Sequence, residues 1–200
     1  MKRKALAICL SLMVWPLLGA APVAEIQAIL AQPKVLCGRF DQIKQLAGLK
    51  NPLRSNGRFC VVAGKGVLWR SLQPFANTLR LTRDEIVQWH GERLAMRLNA
   101  KQEPTVRLIN TLLFSMLAGD LGQLERYFDV EGIAGDGAWS VKLKARDAGV
   151  AKVIGAIALD GGAYVKNIAI DEANGDRTRI VFSAIQTGEQ AMTSEEVALF

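Results

Sequence analysis

Side chains able to perform acid–base, nucleophilic or metal chemistry are few and scattered in this sequence. His90 is the only histidine of the 200 residues, and it stands between Trp89 and Gly91, where a hairpin turn is expected. A turn residue is poorly placed to act as a buried general base or as a metal ligand. We therefore predict that His90 has no catalytic role.

Motifs of hydrolases and nucleotide-binding proteins are missing from the sequence. It contains no Cys-x-x-Cys, His-Glu-x-x-His, Gly-x-Ser-x-Gly or Walker-type loop, which are the signatures of zinc, serine-hydrolase and nucleotide chemistry. The segment Gly64-Lys65-Gly66 leads into a predicted strand, whereas a phosphate-binding loop leads into a helix. The acidic residues Asp171, Glu172 and Asp176 fit a solvated hairpin turn better than a calcium site. We predict no catalytic residues, no metal site and no cofactor.

Large apolar side chains on predicted strands are the more promising candidates, because they could bind a lipid. In residues 93–99, Leu94, Met96 and Leu98 alternate with polar residues, so one face of that strand is apolar. Methionine adapts well to irregular apolar shapes. Ordinary core packing remains the alternative for any single residue. The residues that we expect to line an apolar cavity are Phe40, Phe59, Val67, Trp69, Leu79, Leu81, Trp89, Leu94, Met96 and Leu98 on strands, and Leu112, Phe114 and Met116 on a helical segment.

Strands are predicted to position most of these side chains. Short segments bounded by Gly, Pro and Asn clusters, joined by tight turns, are typical of an antiparallel sheet. We expect ten or eleven strands, at residues 35–46, 57–63, 66–71, 77–82, 85–89, 93–99, 127–133, 139–144, 153–159, 163–170 and 177–184. The fold class is therefore mainly β with a helical insert (α+β).

Helical periodicity appears in two places. Residues 24–32 carry Ile26, Ile29 and Leu30 at helical spacing and end at Pro33, which predicts a short amphipathic helix. Residues 103–128 carry apolar side chains at steps of three and four residues, with a break at Gly119-Asp120. A large curved sheet must close or cover its apolar face, and this insert is the expected cover. The tail, residues 186–200, shows no clear pattern.

The N-terminus has the pattern of an export signal. Met1-Lys2-Arg3-Lys4 precedes an apolar run that ends in Gly19-Ala20-Ala21, which is typical of a cleaved secretory signal. We expect residues 1–21 to be the signal peptide and residues 22–200 to form one domain in the periplasm of a Gram-negative cell. Cleavage would lower the net charge from +6 to about +3. This mild excess favours an ordinary solvated surface, and we expect no nucleic-acid partner.

Two cysteines remain after cleavage, in a compartment where disulfides persist. Cys37 and Cys60 lie on predicted neighbouring strands of a hairpin that turns near residues 48–52. Counting outward from that turn brings them nearly opposite, so we predict a Cys37–Cys60 disulfide. The alternative is two unpaired thiols.

Several stretches, taken in order, resemble the LolA family of periplasmic outer-membrane lipoprotein carriers. Each motif alone is a turn plus an aromatic residue, but their order and spacing extend over residues 35–185. The matching stretches are Gly38-Arg39-Phe40-Asp41-Gln42, Ser55-Asn56-Gly57-Arg58-Phe59, Gly66-Val67-Leu68-Trp69, Gln73-Pro74, Ile86-Val87-Gln88-Trp89, Gly119-Asp120-Leu121, Trp139 and Asn174-Gly175-Asp176-Arg177-Thr178. They resemble a divergent branch of the family more than its best-known member.

This resemblance implies a fold and a function. The fold would be an unclosed antiparallel β-barrel covered by lid helices, with a cavity for the acyl chains of a lipoprotein. Cargo would arrive from an inner-membrane donor complex and leave to an outer-membrane acceptor, and the carrier would be a monomer.

One departure from the family leaves the cargo open. The family's well-studied members carry an arginine shortly before the third-strand tryptophan that helps to hold the lid closed, and the matching region here ends in Lys65. The alternative function is a periplasmic binding or sensor module for a free lipid or a polyene-type lipid.

Overall fold

Eleven strands account for most of the described chain. The computed structural model describes residues 23–99, 101–102, 114–115, 121–146, 148–152 and 154–200. The predicted signal sequence, residues 1–21, lies outside these residues. The strands are β1 Val35–Gln45, β2 Leu53–Val62, β3 Gly66–Gln73, β4 Asn77–Leu81, β5 Glu85–His90, β6 Arg93–Asn99, β7 Phe128–Gly135, β8 Ala138–Ala145, β9 Ile154–Gly161, β10 Val165–Glu172 and β11 Arg177–Thr187.

All eleven strands belong to one antiparallel sheet. Their order is β6-β5-β4-β3-β2-β1-β11-β10-β9-β8-β7, so two meanders meet where β1 pairs with β11. Strands β6 and β7 are the two edges of this order, and the sheet is unclosed. The predicted fold class is confirmed, and the number of strands is the higher of the two values expected.

The register of the ladders assigns side chains to two faces. Residues directly opposite in neighbouring strands share a face, and successive residues alternate. Phe40 lies opposite Gly57, and Phe59 lies opposite both Gly38 and Trp69. We call the face that carries these aromatic rings the inner face and the other the outer face. The main buried cluster lies on the inner face and extends from Ile86 on β5 to Phe128 on β7.

Two short helices cover part of the inner face. Helix α1 (Val23–Ile29) lies where residues 24–32 predicted a helix, and its Ile26 is fully buried in the main cluster. Helix α2 (Leu121–Leu124) buries Leu121 and Leu124 there as well. A hydrogen bond ties the chain just after α1 to the sheet: the Ala31 N–H donates to the Ala163 carbonyl at 2.8 Å. Most of the predicted helical insert, residues 103–128, lies outside the described residues.

The C-terminal segment forms ordered structure that the sequence pattern did not predict. After β11 it makes one turn of 3₁₀ helix, Glu189–Ala191, and then helix α4 (Ser194–Ala198). Residues of this segment pack over a second buried cluster, which lies on the outer face. The cluster consists of Val35, Cys37, Cys60, Val62, Leu68 and Ala191. A further helix, α3 (Ala148–Ala151), was also not predicted.

The structure joins Cys37 to Cys60 by a disulfide at a directly paired position of β1 and β2. Both cysteines are buried, with at most 1% of their surface exposed. The C-terminal segment therefore shields the disulfide that the hairpin register predicts.

Turns lie where the Gly and Asn clusters predicted them. Asp136 and Gly137 both have positive φ, as a two-residue hairpin connection between β7 and β8 requires. Gly64 and Gly175 also adopt positive φ in the turns that follow β2 and β10. The Gly64-Lys65-Gly66 segment is thus a hairpin turn, as expected, and leads directly into β3.

An ion-paired corner ties the β1–β2 turn to the β10–β11 turn. Lys44 Nζ lies 2.8 Å from Glu172 Oε1 and 3.7 Å from Asp176 Oδ2. The hydrogen bond to Glu172 raises the pKa of Lys44. The hydrogen bond that Asp176 accepts from the Ala47 N–H, at 2.8 Å, lowers the pKa of Asp176 below its ordinary value of 3.8. Asp176 thus acts as a bridge between the two turns.

We expect the Asp176→Asn substitution to change the acid dependence of stability. A carboxyl whose pKa is lowered by folding stabilises the folded state above its unfolded pKa, and this contribution is lost as the pH falls through the folded pKa. Asp176→Asn should therefore be less stable than the wild type at pH 7, with the difference narrowing below pH 3.8. Urea unfolding between pH 2.5 and about 7 measures this. Asp171→Asn is the control, since Asp171 is largely exposed in its pair with Arg177; a gap for Asp176→Asn that does not vary with pH would contradict the prediction.

Candidate functional site

Four aromatic rings form a continuous patch at the centre of the inner face. The rings of Phe40 and Trp69 are stacked with centroids 3.8 Å apart, and those of Phe59 and Phe182 are 4.8 Å apart. Trp69 meets Phe182 edge to face at 6.1 Å. The three phenylalanines are almost fully buried, whereas Trp69 keeps part of its surface exposed. The phenylalanines therefore form a fixed floor, and Trp69 presents an aromatic surface that a ligand could contact.

Two glycines make room for this patch. A Cβ at Gly57 would lie 2.8 Å from Cε1 of Phe40, and one at Gly38 would lie 2.9 Å from Cε1 of Phe59. Each phenylalanine thus covers the glycine directly opposite it on the neighbouring strand, an arrangement in which an aromatic ring shields a strand glycine. Each of the two Gly-Arg-Phe segments, one on β1 and one on β2, therefore supplies one phenylalanine to the floor and one glycine that makes room for the phenylalanine of the other segment.

Most of the predicted lining residues that the structure describes lie on the inner face. Phe40, Phe59, Val67 and Leu81 are buried in the main cluster, so they serve as core packing. The partly buried ones pack against that cluster and keep some accessible surface: Trp69, Leu79, Met96, Leu98 and Phe114. Leu112 and Met116 lie outside the described residues, and their contact with a lipid stays a prediction.

Two predicted lining residues are placed differently. Trp89 pairs with Thr78, which belongs to the outer face, and the guanidinium of Arg80 lies 5.5 Å from its ring centroid. The placement of Trp89 in the cavity was therefore wrong. Leu94 is displaced by a register shift between β5 and β6, pairs with Trp89 and is 49% exposed. An extra residue in β6 breaks the alternation that placed Leu94 beside Met96.

A band of uncharged polar residues, which the prediction missed, borders the aromatic patch. It lines an open cavity of about 340 Å³ on the inner face. The band comprises Gln42, Ser55, Ser71, Asn77 and Gln88, each of them half-buried. Trp69, Leu79 and Phe75 complete its apolar side. The strand alternation could have revealed the band, since each member lies two residues from an inner-face apolar residue or from another member of the band.

The described groups with catalytic or ligating potential are not part of the cavity lining. His90 is exposed at the end of β5, with its Nε2 3.2 Å from Gln88 Nε2. Among the described residues, Cys37, Cys60 and Glu196 form the one group of three potential metal ligands within 4.8 Å. The two sulfurs are bonded to each other, and the Glu196 carboxylate is paired with Arg58, so these three residues do not form a metal site.

Among the described residues, no helix has the length and apolar character needed to cross a membrane.

Comparison with known families gives one match over nearly the whole chain. Residues 19–199 match the model of a family described as outer membrane lipoprotein carrier protein LolA-like. A comparison with curated proteins found no match.

Solved structures with a similar backbone come from several bacteria. A LolA superfamily protein from Nitrosomonas europaea has 8% identity and a TM-score of 0.44, covering 86% of this chain and 96% of its own. A putative outer membrane lipoprotein-sorting protein domain from Vibrio parahaemolyticus has 11% identity and a TM-score of 0.46, covering 86% and 93%. A chain of the MucA/MucB complex from Pseudomonas aeruginosa has 15% identity and a TM-score of 0.40, covering 88% and 62%. At such identities no residue role is transferred from these structures.

Proposed function

Because this chain belongs to the LolA-like family of outer membrane lipoprotein carriers, we propose that it binds the acyl chains of a lipoprotein on its inner face and carries them from the inner to the outer membrane. The donor would be an inner-membrane complex and the acceptor an outer-membrane protein. Residues 1–21 would direct export to the periplasm, and residues 22–200 would act as one monomeric domain.

The observation that carries this proposal is the apolar surface left partly exposed on the inner face. Trp69, Leu79, Met96 and Leu98 pack against the buried core and are themselves only half-buried. Trp69 and Leu79 are paired on β3 and β4, and Met96 and Leu98 lie on β6. On β5 between them, Ile86 pairs with Leu98 and the polar Gln88 pairs with Met96, so the apolar strip continues through Ile86 and borders the polar band at Gln88. Such a strip suits a flexible alkyl chain, which needs contact area and no directional bonds.

Burial of an acyl chain can hold the cargo without covalent chemistry. A chain of about 16 carbons at about 0.8 kcal/mol per methylene gives roughly 12 kcal/mol before the cost of ordering is subtracted. This magnitude makes release the difficult step, and it explains why a carrier would need an acceptor with a higher affinity. The aromatic floor, the half-buried strip and the missing catalytic motifs all favour binding over catalysis.

The decisive experiment is to purify the protein from its native envelope and to identify the molecules that co-purify with it. Triacylated protein would support the lipoprotein carrier. A free lipid or a polyene-type lipid in its place would support the alternative of a lipid-binding or sensor module. Transfer of bound cargo to outer-membrane vesicles, but not to inner-membrane vesicles, would establish the direction.

We expect the Met96→Asp substitution to reduce alkyl-chain binding at least about tenfold, because it places an unpaired carboxylate in the apolar strip. Displacement of a fluorescent fatty-acid analogue measures the affinity. Val181→Asp is the matched control, since Val181 lies on the outer face opposite Asp41 and is 49% exposed; it should bind the probe like the wild type. Equal losses in both variants, or no loss in Met96→Asp, would argue against the inner face as the binding surface.

A further inference from the structure

Polarity changes in one direction along the inner face. On β4 the inner-face residues run from Leu81 through Leu79 to Asn77, and on β3 they run from Val67 through Trp69 to Ser71. The neighbouring strands follow the same order, so their polar residues fall at the same end of the sheet. A ligand lying along this face would meet an apolar surface at one end and a polar one at the other.

The polar end is a cavity whose described lining carries no charge. Its polar groups are carboxamides and hydroxyls, contributed by Gln42, Ser55, Ser71, Asn77 and Gln88 among others. Its volume of about 340 Å³ falls within the range of small-molecule sites. Lys44 follows Gln42 at the next inner-face position of β1, but its ammonium is held by Glu172 at 2.8 Å. The nearest charged side chain on the inner face of β1 is therefore already neutralised.

The side chains of the cavity can both donate and accept hydrogen bonds. A carboxamide offers two donors and one acceptor oxygen, and a hydroxyl offers one donor and an acceptor. Asn56 Nδ2 donates to Gln73 Oε1 at 2.9 Å, which fixes one lining amide, and Gln88 contacts His90. Within the described residues, no side-chain hydrogen bond joins Gln42, Ser71 or Asn77 to a protein group, so these three can serve a ligand.

Resting on the function proposed above, we propose that this cavity binds the head group of the cargo, and that this head group is uncharged and rich in hydrogen-bonding groups. An ionised head group would lose part of its water in this open cavity without gaining an opposite charge from the described lining, which is unfavourable. A hydroxyl-bearing or amide-bearing head would exchange its water for the carboxamides and could stack on Trp69. Such chemistry is found in a sugar head group and in the acylated, amide-linked end of a lipopeptide. Phosphate and carboxylate heads are disfavoured.

The test compares amphiphiles with the same alkyl chain and different heads. Dodecyl maltoside, dodecyl phosphate and dodecanoate, each below its micellar concentration, compete with a fluorescent fatty-acid analogue on the wild-type protein. A triacylated cysteinyl peptide amide forms a fourth arm and separates a lipopeptide source from a sugar source. The uncharged competitors should displace the probe at concentrations about tenfold lower than the anionic ones at pH 7.

A paired variant tests whether the cavity causes this preference. Gln42→Leu combined with Asn77→Leu removes two of the available amides and should lower the affinity for the uncharged competitors about tenfold, since each hydrogen bond contributes about three- to tenfold. Its affinity for dodecanoate should stay equal or rise. Gln186→Leu is the matched control, because Gln186 is exposed on the outer face opposite Cys37, and it should keep the wild-type preference.

The possible outcomes separate this inference from the proposed function. Binding of every amphiphile with no discrimination between heads, or tighter binding of the anionic ones, overturns the inference and leaves the carrier proposal standing. Failure of every amphiphile and of the probe to bind overturns both. If the wild type discriminates between head groups and the double variant does so equally well, this cavity does not bind the head group.

Discussion

Replacing Gly57 by alanine is expected to lower the free energy of unfolding by about 3 kcal/mol, equivalent to a fall in Tm of roughly 6–12 °C. The new Cβ would lie 1.9 Å from the carbonyl oxygen of Arg70 and 2.8 Å from the ring of Phe40. The first of these neighbours is backbone on the adjacent strand, where the β2–β3 register shifts between Asn56 and Gly57. Relief of the clash therefore requires strand β3 to move.

The Gly57→Ala effect should extend to the aromatic floor. Phe40 stacks on Trp69 with centroids 3.8 Å apart, so displacement of the Phe40 ring should also weaken binding of an alkyl probe. Urea unfolding gives the stability and probe displacement gives the affinity. Gly135→Ala is the control, because a Cβ there meets nothing within 4 Å and its backbone φ is not in the left-handed region. A stability loss in Gly57→Ala no larger than in Gly135→Ala would show that the contact is easily relieved.

The order and type of the strands could be predicted because turn chemistry is local. Asp136-Gly137 and Gly175 take positive φ in their turns, and such residues are recognisable in a sequence. The same counting placed Cys37 near Cys60, and the structure has them directly paired. Local signals of this kind fix which residues are neighbours in the sheet, and therefore most of its register.

The face assignment failed where alternation breaks or where both faces are covered. The shift between Gln88 and Trp89 reverses the side to which Leu94 belongs, and a bulge leaves no reliable signal in a single sequence. Trp89 lies on the outer face, where the guanidinium of Arg80 covers its ring. This contact joins the neighbouring strands β4 and β5, and periodicity within one strand does not show it.

The polar band was missed for a different reason. Ser71 and Asn77 are polar residues at the ends of predicted strands, and Gln42 is a polar residue within one. Only the cross-strand register shows that the three share one cavity. The apolar strip and the polar band together give the proposed lipid site an apolar end and a polar end.

The start of the C-terminal helix has a local sequence motif, whereas the contact that positions this helix is long-range and has none. Thr193 and Glu196 form a capping box, in which the Thr193 side chain accepts from the Glu196 N–H and the Glu196 carboxylate accepts from the Thr193 N–H. The spacing Thr-x-x-Glu predicts a helix start. The position of that helix against the outer face depends on Arg58, more than 130 residues away in sequence.

We expect Glu196→Ala to lower the free energy of unfolding by about 2–4 kcal/mol, because it removes the capping box and leaves Arg58 without its carboxylate. Glu196 is 1% exposed in its side chain, and its Oε1 lies 2.7 Å from Arg58 Nε. Arg58 also donates to the Ala191 carbonyl, so the guanidinium joins both parts of the segment to β2. Its side chain is 29% exposed, and the solvent that reaches it moderates the loss below that of a fully buried pair.

The neighbouring Glu195 provides the control for this prediction. It pairs with Arg70 at 3.2 Å but is 77% exposed, so Glu195→Ala should cost less than about 1 kcal/mol. Urea unfolding measures both variants, and the rate at which dithiothreitol reduces the Cys37–Cys60 disulfide provides a second readout. Loss of the Glu196 anchor should accelerate reduction, because the segment that it holds covers two cysteines with at most 1% of their surface exposed. Equal effects of the two substitutions, or an unchanged reduction rate in Glu196→Ala, would mean that apolar packing alone holds the segment in place.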